Sequence, residues 1–285
     1  MDKISVFGST GFIGSHFCNM YLKETESVNT SARDFPRKIP DNGEVLYLIS
    51  TTDNYNIMSD PHKDIDTNLS MLMKVLWRYK DRKDLVFTYI SSWFVYGDVE
   101  LPAKEDACCK PKGFYSITKK CAEDLLISFC ETYGLKYRIL RLANVVGVGD
   151  KGVSHKKNAL QFLIQKLADN EPIGLYHDGD FLRDYLHVDD VCKAIHFCIQ
   201  NAHTNEIINI GSGRGYLFGD LIRYAHGELN SESYIEEIPP SKFHKVVQVK
   251  DMYLDTFIIN ELGWYPEKSV HEAIDEVIDE IKRKK

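Results

Sequence analysis

The sequence lacks the long apolar runs and the leader that mark membrane and secreted proteins. No stretch of its 285 residues approaches about 18 uninterrupted apolar residues, so we expect no membrane-spanning helix. The start, MDKISVFGSTG, has no apolar core long enough for a secretory signal and runs directly into strand-like sequence. We therefore predict a cytoplasmic protein that does not bind a membrane.

The sequence also lacks a basic excess and a zinc-like cysteine pattern. Its formal net charge is −7 at pH 7, whereas a general nucleic-acid binder normally presents a basic surface. Its seven cysteines form no C-x-x-C set with zinc-like spacing, and their odd number is typical of reduced thiols. We predict no nucleic-acid partner and no metal site, and we interpret the adjacent Cys108 and Cys109 as ordinary loop thiols.

Strand-like and helix-like stretches alternate through the first half of the chain. The strand-like stretches are ISVFG (4–8), SVNTSA (27–32), EVLYLIS (44–50), LVFTYIS (85–91) and KYRILRLANVVG (136–147). The helix-like stretches are 13–23, 64–80 and 115–133. This alternation predicts an α/β fold, a Rossmann-like doubly wound parallel sheet with a smaller mixed α/β lobe. Only about eleven residues separate the second and third strands, so one βα unit is predicted to be missing or reduced.

The alternation becomes irregular after about Gly147. A helix is predicted over 158–169, a buried strand that returns to the sheet over 206–211, and a charged helix over 269–284. The predicted domains are a Rossmann domain over 1–146, with returning segments near 184–211, and a substrate-binding lobe over 147–183 and 212–285.

Three glycines follow the first predicted strand and open the first predicted helix. FGSTGFIGSHF contains Gly8, Gly11 and Gly14, and glycines there permit a tight turn and close approach of a pyrophosphate. The helix N-terminus adds free N–H groups and the positive end of its dipole. The predicted dinucleotide-binding residues are Gly8, Thr10, Gly11, Phe12, Ile13, Gly14, Arg33, Ser50, Asn68, Tyr115 and Lys119.

The residue at the end of the second strand distinguishes the two nicotinamide dinucleotides. An acidic side chain there would bind the ribose hydroxyls of NAD, whereas arginine would pair with the 2′-phosphate of NADP. The stretch TSARDF offers Arg33, followed by Asp34. We favour NADP(H) over NAD(H); in the alternative, Arg33 is a solvated loop residue and Asp34 binds the ribose.

Tyr115 and Lys119 lie one helical turn apart in the predicted helix 115–133. The chain has 16 tyrosines, so roughly one Tyr-x-x-x-Lys pair is expected by chance, and a second pair does occur at Tyr79 and Lys83. That second pair sits at a helix end rich in lysine and arginine, so we interpret it as solvated surface.

The surroundings of Tyr115 and Lys119 favour proton transfer. YISSWFVYGD (89–98) ends a parallel strand in Ser91 and Ser92, at the sheet edge where open α/β folds bind ligands. A free tyrosine has a pKa of about 10, which a neighbouring ammonium and an oxidised nicotinamide would lower. We predict that Tyr115 transfers the proton of a sugar hydroxyl during hydride exchange, while Ser92 holds the same oxygen.

A series of motifs resembles the extended short-chain dehydrogenase/reductases of the nucleotide-sugar epimerase/dehydratase family. The motifs are GSTGFIG (8–14), DPHKDIDTN (60–68), SSWFVYG (91–97), YSITK (115–119), RLANVVG (141–147), GDFLRDYLHVDD (179–190), NIGSG (209–213) and ELGWYP (261–266). The resemblance covers nearly the whole chain. It implies an NAD(P)-dependent enzyme with a nucleoside-diphosphate sugar as substrate, and a homodimer formed by helices near 64–80 and 115–133.

The resemblance also implies roles for individual residues. The implied catalytic residues are Ser92, Tyr115 and Lys119, and the implied substrate-binding residues are Ser92, Trp93, Asn144 and Arg183. Arg183 would bind a substrate phosphate, with a surface ion pair to Asp184 as the alternative. Asn144 would contact substrate or cap a turn. The loop residues His155, Lys156 and Lys157 would touch the diphosphate or remain solvated, and His187 is interpreted as structural.

The two residues after Ser92 narrow the reaction. The 4,6-dehydratases of this family carry Asp-Glu there, whereas Trp93 and Phe94 cannot transfer protons, and no additional cysteine is present in this region. Two reactions remain: a 4-ketoreductase that uses NADPH on a 4-keto-6-deoxy sugar nucleotide, and a 4-epimerase with tightly bound NAD. Arg33 and the segment ISTTDNY (49–55) favour the reductase. A non-catalytic dinucleotide sensor or scaffold is the third reading, disfavoured because Ser92, Tyr115 and Lys119 are all kept.

Overall fold

The computed structural model of the protein describes residues 4–22, 43–151, 153–154 and 157–285. The described strands are β1 (Ile4–Phe7), β2 (Glu44–Tyr47), β3 (Val86–Ser92), β4 (Lys136–Leu142), β5 (Asn144–Val146), β6 (Ile173–Tyr176), β7 (Leu182–Arg183), β8 (Tyr185–His187), β9 (Glu206–Ile210), β10 (Tyr216–Leu217) and β11 (Ile235–Ile238). The described α-helices are α1 (Phe12–Tyr21), α2 (His62–Asp64), α3 (Met71–Tyr79), α4 (Phe114–Tyr133), α5 (Ala159–Ala168), α6 (Val188–Asn201), α7 (Phe218–Leu229), α8 (Lys242–Val247), α9 (Phe257–Glu261) and α10 (Val270–Lys284).

Several predictions fall on residues outside these ranges. They are the strand SVNTSA, the reduced βα unit that follows it, and the proposed cofactor and loop contacts of Arg33, Asp34, His155 and Lys156.

A parallel sheet forms the centre of the described fold, with its five strands in the order β1-β2-β3-β4-β9. Every residue of β1 and β2 is buried, which explains why these strands read as continuous runs rather than as alternating apolar and polar residues. The predicted α/β fold with a parallel central sheet is confirmed.

Helices cover both faces of this sheet. Phe17 of α1 and Ile195 of α6 belong to the apolar cluster on one face. Leu76 of α3 and Leu126 of α4 belong to the cluster on the other. A further core joins α5, α7 and α10 around β6, and α10 begins at a capping box between Ser269 and the third helical residue.

The structure departs from the predicted elements at two places. The predicted strand 136–147 is two strands, because the chain leaves the sheet after β4 and β5 then pairs with β8. The predicted helix 64–80 begins earlier, at α2, and passes through a π-helical segment, Ile65–Ser70, before α3. In the described ranges, no helix is both long and apolar enough to cross a membrane.

The interpretation of Tyr79 as solvated surface is wrong. Its side chain is buried in the core and its ring meets that of Phe7 edge-on, with 6.3 Å between centroids. The reason is that Tyr79 lies on the face of α3 that packs against the sheet, whereas Lys83 is exposed in the turn beyond the helix. The pair is therefore split between core and solvent.

Candidate active site

A glycine loop joins β1 to α1. Gly8 has φ 94°, a left-handed conformation that favours glycine, and the Gly11 N–H donates to the Gly8 carbonyl at 3.0 Å. A Cβ on Gly14 would lie 2.2 Å from the Gly8 oxygen, so α1 starts directly against the loop backbone. Side-chain-free backbone at a helix N-terminus fits a dinucleotide pyrophosphate. The other predicted residues of this turn are Thr10, Phe12 and Ile13.

The end of β3 and the first turns of α4 bring Ser92, Tyr115 and Lys119 together. Ser92 is the last residue of β3, and its Oγ accepts a hydrogen bond from the Phe94 N–H at 3.4 Å. Tyr115 and Lys119 are both buried on one face of α4. The side chains of Ser92 and Ser50 lie close enough to the Tyr115 hydroxyl to lower its pKa. The Tyr115 phenol is therefore surrounded by residues that lie far apart in the sequence.

Burial dominates the electrostatics of Tyr115. It raises the pKa of Tyr115 to about 12, although the hydrogen bonds with Ser92 and Ser50 lower that pKa. The carboxyl of Asp64 raises it further. With only protein groups around it, the Tyr115 phenol is therefore protonated at neutral pH and can donate its proton. We predict from the sequence that Lys119 and an oxidised nicotinamide lower the pKa of Tyr115. For the complex of the protein with its cofactor, this stays a prediction.

Lys119 is held by backbone and by an aromatic ring. Its Nζ donates to the Ile90 carbonyl at 2.6 Å and lies 4.2 Å from the centroid of the Tyr89 ring. Burial lowers the pKa of Lys119 to about 7, while the carboxylate of Glu123 one turn later raises it. The ammonium is thus fixed beneath β3, one helical turn from Tyr115.

Asn68 connects the Ser50 side of the site to α4. Its Oδ1 accepts from the Ser50 hydroxyl at 3.0 Å and from the Thr51 N–H at 2.9 Å. Its Nδ2 donates to Thr51 Oγ1 and to Thr118 Oγ1, each at 2.9 Å. The predicted cofactor residues Ser50 and Asn68 are therefore parts of one buried network beside Tyr115.

Asp64 ends this network and was not predicted from the sequence. Its Oδ1 accepts from Thr51 Oγ1 at 2.5 Å and from Asn56 Nδ2 at 2.9 Å. Its Oδ2 is buried without a hydrogen-bond partner among the described residues. A buried carboxylate of this kind is costly, which marks it as a candidate functional group. No signal in HKDID separates it from its exposed neighbours.

A buried ion pair between Arg141 and Glu123 lies next to the end of β3. The Arg141 guanidinium contacts both oxygens of Glu123, at 3.1 and 2.8 Å, and Ser91 donates to the same carboxylate at 2.5 Å. Glu123 lies on α4 one turn beyond Lys119, and Ser91 directly precedes Ser92. The pair therefore ties the end of β3 to the helix that carries Tyr115.

A cavity of about 760 Å³ lies beside the segment that follows β3. Trp93 and Phe94 line it, and their rings stack with centroids 3.8 Å apart. The Phe94 ring meets that of Tyr115 edge-on, with 5.7 Å between centroids, so Phe94 contacts Tyr115 and also lines the cavity. A volume of this size accommodates a nucleotide-sized ligand.

Arg183 lines the same cavity with an unusual set of partners. Its guanidinium donates to the carbonyls of Leu182, Lys250 and Val249 at 2.7, 2.6 and 2.9 Å. Burial lowers the pKa of Arg183 to about 10, which leaves it cationic at neutral pH. The alternative of an ion pair with Asp184 does not apply, because the Asp184 carboxylate accepts from Ser212 and Leu254 instead.

Asn144 connects the aromatic pair to the strand that carries Arg183. Its Oδ1 accepts from Trp93 Nε1 at 3.2 Å, and its Nδ2 donates to the Asp184 carbonyl at 2.9 Å. Asn144 lines the cavity as well. It is therefore placed where it can contact a ligand while fixing the indole.

The cavity also collects residues that the sequence did not single out. Tyr55 comes from the segment after β2, whereas Tyr176 and the α8 residues His244 and Lys245 come from the second half of the chain. The Tyr176 and His244 rings touch at 4.4 Å, and burial lowers the pKa of His244 to about 4. The sequence surroundings of Tyr176, His244 and Lys245 carry no periodic or motif signal, so pattern reasoning could not find them. Tyr55 ends the segment ISTTDNY, which was noted as a segment without a role for this residue.

Two other predicted loop and structural residues have defined partners. Lys157 lines the cavity and pairs with Asp150 at 2.8 Å. His187 is buried, with Nε2 2.9 Å from Glu276 and Nδ1 accepting from the Asp189 N–H. In the described ranges, no cluster of three or more His, Cys, Asp or Glu side chains could hold a metal ion.

The parallel sheet, the glycine loop at its first strand and the buried Tyr–Lys helix define a class of dinucleotide-dependent enzymes. The chain belongs to the NAD dependent epimerase/dehydratase family, whose sequence profile matches residues 43–211. It is accordingly an NAD(P)-dependent enzyme of the extended short-chain dehydrogenase/reductase type, and the family expected from the sequence is confirmed.

Proteins named for different reactions are similar to this chain. A Methanocaldococcus jannaschii protein, provisionally named UDP-glucose 4-epimerase, is 28% identical, with 98% of both chains covered. The GDP-6-deoxy-D-mannose reductase of Pseudomonas aeruginosa is 24% identical, covering 98% of this chain and 97% of the reductase. The UDP-glucose 4-epimerase of Thermotoga maritima, solved with UDP-glucose, superposes with a TM-score of 0.86 at 24% identity and 99% coverage of both chains. Structures of this fold hold NADPH in one case and NAD in another.

Proposed function

We propose that the protein is a 4-ketoreductase that transfers a hydride to C4 of a 4-keto-6-deoxy nucleoside-diphosphate sugar. The observation that carries this proposal is the placement of Tyr115 on α4, with its ring edge-on to Phe94 and Phe94 stacked on Trp93. Such a site supplies one proton, from the Tyr115 hydroxyl to the oxygen on one sugar carbon. Neither aromatic residue can supply the second acid or base that water elimination requires.

The mechanism follows from the groups around the phenol. Ser92 and Tyr115 hold the C4 carbonyl oxygen by hydrogen bonds. When held at the glycine loop of Gly8, Gly11 and Gly14, NADPH would supply the hydride to C4. As the carbonyl electron pair moves to oxygen, that oxygen takes the Tyr115 proton and becomes the C4 hydroxyl. Solvent returns the proton and closes the cycle.

The substrate would be anchored at its other end by Arg183. The three carbonyls that hold this guanidinium do not neutralise it, so its charge remains for a phosphate. Arg183 also lies 5.4 Å from the Trp93 ring, the same ring whose N–H binds Asn144. Phosphate at Arg183 and C4 at Tyr115 would then fix both ends of a hexose.

The main alternative is a 4-epimerase with tightly bound NAD. An epimerase must let its keto sugar turn over between removal and return of the hydride. The stacked rings of Trp93 and Phe94, with Trp93 anchored to Asn144, form a fixed wall beside Tyr115. A fixed wall supports one substrate orientation and therefore supports reduction.

NADP(H) is the cofactor that we favour, on the strength of Arg33. Arg33 lies outside the described residues, so this support is the position of an arginine at the end of the second predicted strand. Arg33→Ala should weaken NADP(H) binding much more than NAD(H) binding, measured by fluorescence titration of both cofactors. Equal losses for both would remove the basis of this preference.

We also infer a homodimer formed through α3 and α4. Large apolar side chains are exposed on or beside these helices: Met58, Ile65, Trp77, Phe114, Ile117 and Leu125. Exposed apolar surface concentrated on neighbouring helices is typical of a protein interface. A second copy of the chain would cover it.

A coupled assay separates the candidate functions. The purified protein is incubated with a panel of 4-keto-6-deoxy sugar nucleotides and NADPH. Loss of NADPH in a one-to-one ratio with substrate supports the reductase. In a parallel incubation with nucleoside-diphosphate hexoses that carry a C4 hydroxyl, their interconversion without net oxidation, by protein that retains NAD, supports the epimerase. Cofactor binding without turnover of either kind supports a sensor or scaffold.

A further inference from the structure

Trp93 and Phe94, called here the aromatic wall, span the distance between the two substrate-holding groups. At one end the Arg183 guanidinium lies 5.4 Å from the Trp93 ring, and at the other the Tyr115 ring lies 5.7 Å from Phe94. The two wall rings stack at 3.8 Å with an interplanar angle of 23°. A hexose held by phosphate at Arg183 and by C4 at Tyr115 must therefore lie along the wall.

The aromatic wall offers no hydrogen bond to that hexose. The single donor of Trp93, Nε1, is already used on Asn144 Oδ1 at 3.2 Å, and Phe94 has no polar atom. A sugar hydroxyl turned toward the wall would lose its water partners without replacement, which is unfavourable. A methyl or methylene group there would instead remove apolar surface from water.

Hydroxyl groups elsewhere in the cavity can serve the rest of the sugar. Thr52 is exposed and Tyr55 is partly exposed, and both line the same cavity as the wall. A ligand matched to this site therefore carries hydroxyls on one edge and lacks an oxygen on the edge that meets Phe94.

We propose that Trp93 and Phe94 are specificity-determining residues that select a hexose without an oxygen on the carbon packed against Phe94. C3 and C5 both adjoin C4, which Tyr115 holds, and of their substituents only C6 lacks an oxygen in the proposed substrate. That carbon is therefore C6, and the selected ligand is a 6-deoxyhexose nucleotide. The inference rests on the proposed function for the placement of C4 and for the missing oxygen at C6. It goes beyond it in naming the residues that distinguish methyl from hydroxymethyl.

The test is binding of matched sugar nucleotides to the protein saturated with NADPH. Each pair contains a nucleoside-diphosphate hexose and its 6-deoxy counterpart, with uracil, thymine or guanine as base. Both members already carry a C4 hydroxyl, so no hydride transfer accompanies binding in the presence of NADPH. Calorimetry on the wild-type protein should show the 6-deoxy member of the best-bound pair binding at least about tenfold more tightly, since an added hydroxyl is rejected by up to about a hundredfold in an apolar pocket.

Two variants connect this preference to Phe94. Phe94→Ser should bring the ratio of the two affinities close to one, whereas Phe94→Leu, which keeps an apolar surface, should retain most of it. Phe257→Ser alters an exposed phenylalanine on α9 and serves as the control that leaves the ratio unchanged.

Each outcome decides the inference. Equal affinities in the wild-type protein, a preference for the hydroxymethyl sugar, or no binding of any pair would overturn it, whether or not the serine variant folds. An unchanged ratio in folded Phe94→Ser would also overturn it. A 6-deoxy preference without NADPH consumption on keto substrates would support the specificity and contradict the proposed reduction. Reduction of keto substrates without a preference for the 6-deoxy sugar would support the proposed reduction and contradict the proposed specificity.

Discussion

Tyr115 is the residue on which the proposed chemistry depends, because its hydroxyl lies beside the side chains of Ser92 and Ser50 and its ring meets Phe94 of the cavity. Tyr115→Phe removes the proton and little else. Turnover should fall by about 10²- to 10⁴-fold, the usual contribution of a positioned acid, while NADPH affinity stays near that of the wild type. Steady-state rates and cofactor titration measure the two effects separately.

The control is Tyr79→Phe, which deletes the hydroxyl of the other tyrosine in a Tyr-x-x-x-Lys pair. Tyr79 lies in the core rather than beside Ser92, so its loss should leave turnover unchanged. Normal turnover in Tyr115→Phe would refute the assigned role.

Asp64 adds a negative charge to the surroundings of the Tyr115 phenol. That charge disfavours phenolate, so Asp64→Asn, which keeps the shape and removes the charge, should lower the pKa of Tyr115 from about 12. The ionised fraction of Tyr115 at a fixed alkaline pH should then rise. Ring-carbon NMR of labelled tyrosine, with Tyr115→Phe to identify the signal, follows this directly.

Asp66→Asn provides the matched comparison for Asp64, since Asp66 is exposed two residues along the same segment. Its titration curve for Tyr115 should superpose on that of the wild type. Identical curves for Asp64→Asn and wild type would mean that the Asp64 charge does not reach the phenol.

At the scale of the element, the glycine loop depends on the close contact between α1 and β1. Gly14→Ala would place a Cβ 2.2 Å from the Gly8 carbonyl oxygen, a contact that only a shift of the backbone relieves. Since displacement by about 1 Å at a binding element can cost about a hundredfold, kcat/KM for NADPH should fall by that order.

Gly227→Ala is the control for the same substitution in another helix. Gly227 lies in α7, and a Cβ there meets nothing within 4 Å. Alanine should stabilise α7 by about 0.5–1 kcal/mol and leave NADPH kinetics unchanged. Wild-type kinetics in Gly14→Ala would show that the loop does not hold the cofactor as expected.

The elements themselves were largely predictable where their residues alternate in type or run apolar. Buried runs predicted β2 and β3, and the long amphipathic pattern predicted α4. The break between β4 and β5 was not predictable, because both are apolar and only the pairing of β5 with β8 separates them. Tyr79 was misread for a similar reason: its charged neighbours suggested solvent, while helix geometry turned its ring to the sheet.

The site was predictable only in part, for physical reasons. Motif and strand-end position bring Ser92, Tyr115 and Lys119 to one place, because parallel strands end at a common edge. Asp64 gives no such signal, since its burial depends on how α2 packs beside α4. The cavity wall formed by α8 comes from an irregular part of the chain, where no periodicity indicates which side chains point inward.

On the scale of the whole molecule, the proposed dimer predicts a specific change in mass. Trp77 is 56% exposed on α3, so Trp77→Glu would place a charge in the proposed interface. Light scattering after size exclusion should show a dimer for the wild type and a shift toward monomer for this variant. Phe257→Glu, which changes a 65% exposed aromatic on α9, should remain dimeric. A monomeric wild-type protein would contradict the proposed assembly.

The most direct test of the reductase proposal follows the hydride. NADPH deuterated at both C4 positions of the nicotinamide is incubated with the best 4-keto-6-deoxy sugar nucleotide, and the product is analysed by mass spectrometry and NMR. The proposal predicts one deuterium per product molecule, located at C4, with one NADPH consumed for each. An unchanged keto substrate without loss of NADPH, from protein that interconverts sugar nucleotides carrying a C4 hydroxyl, would contradict it.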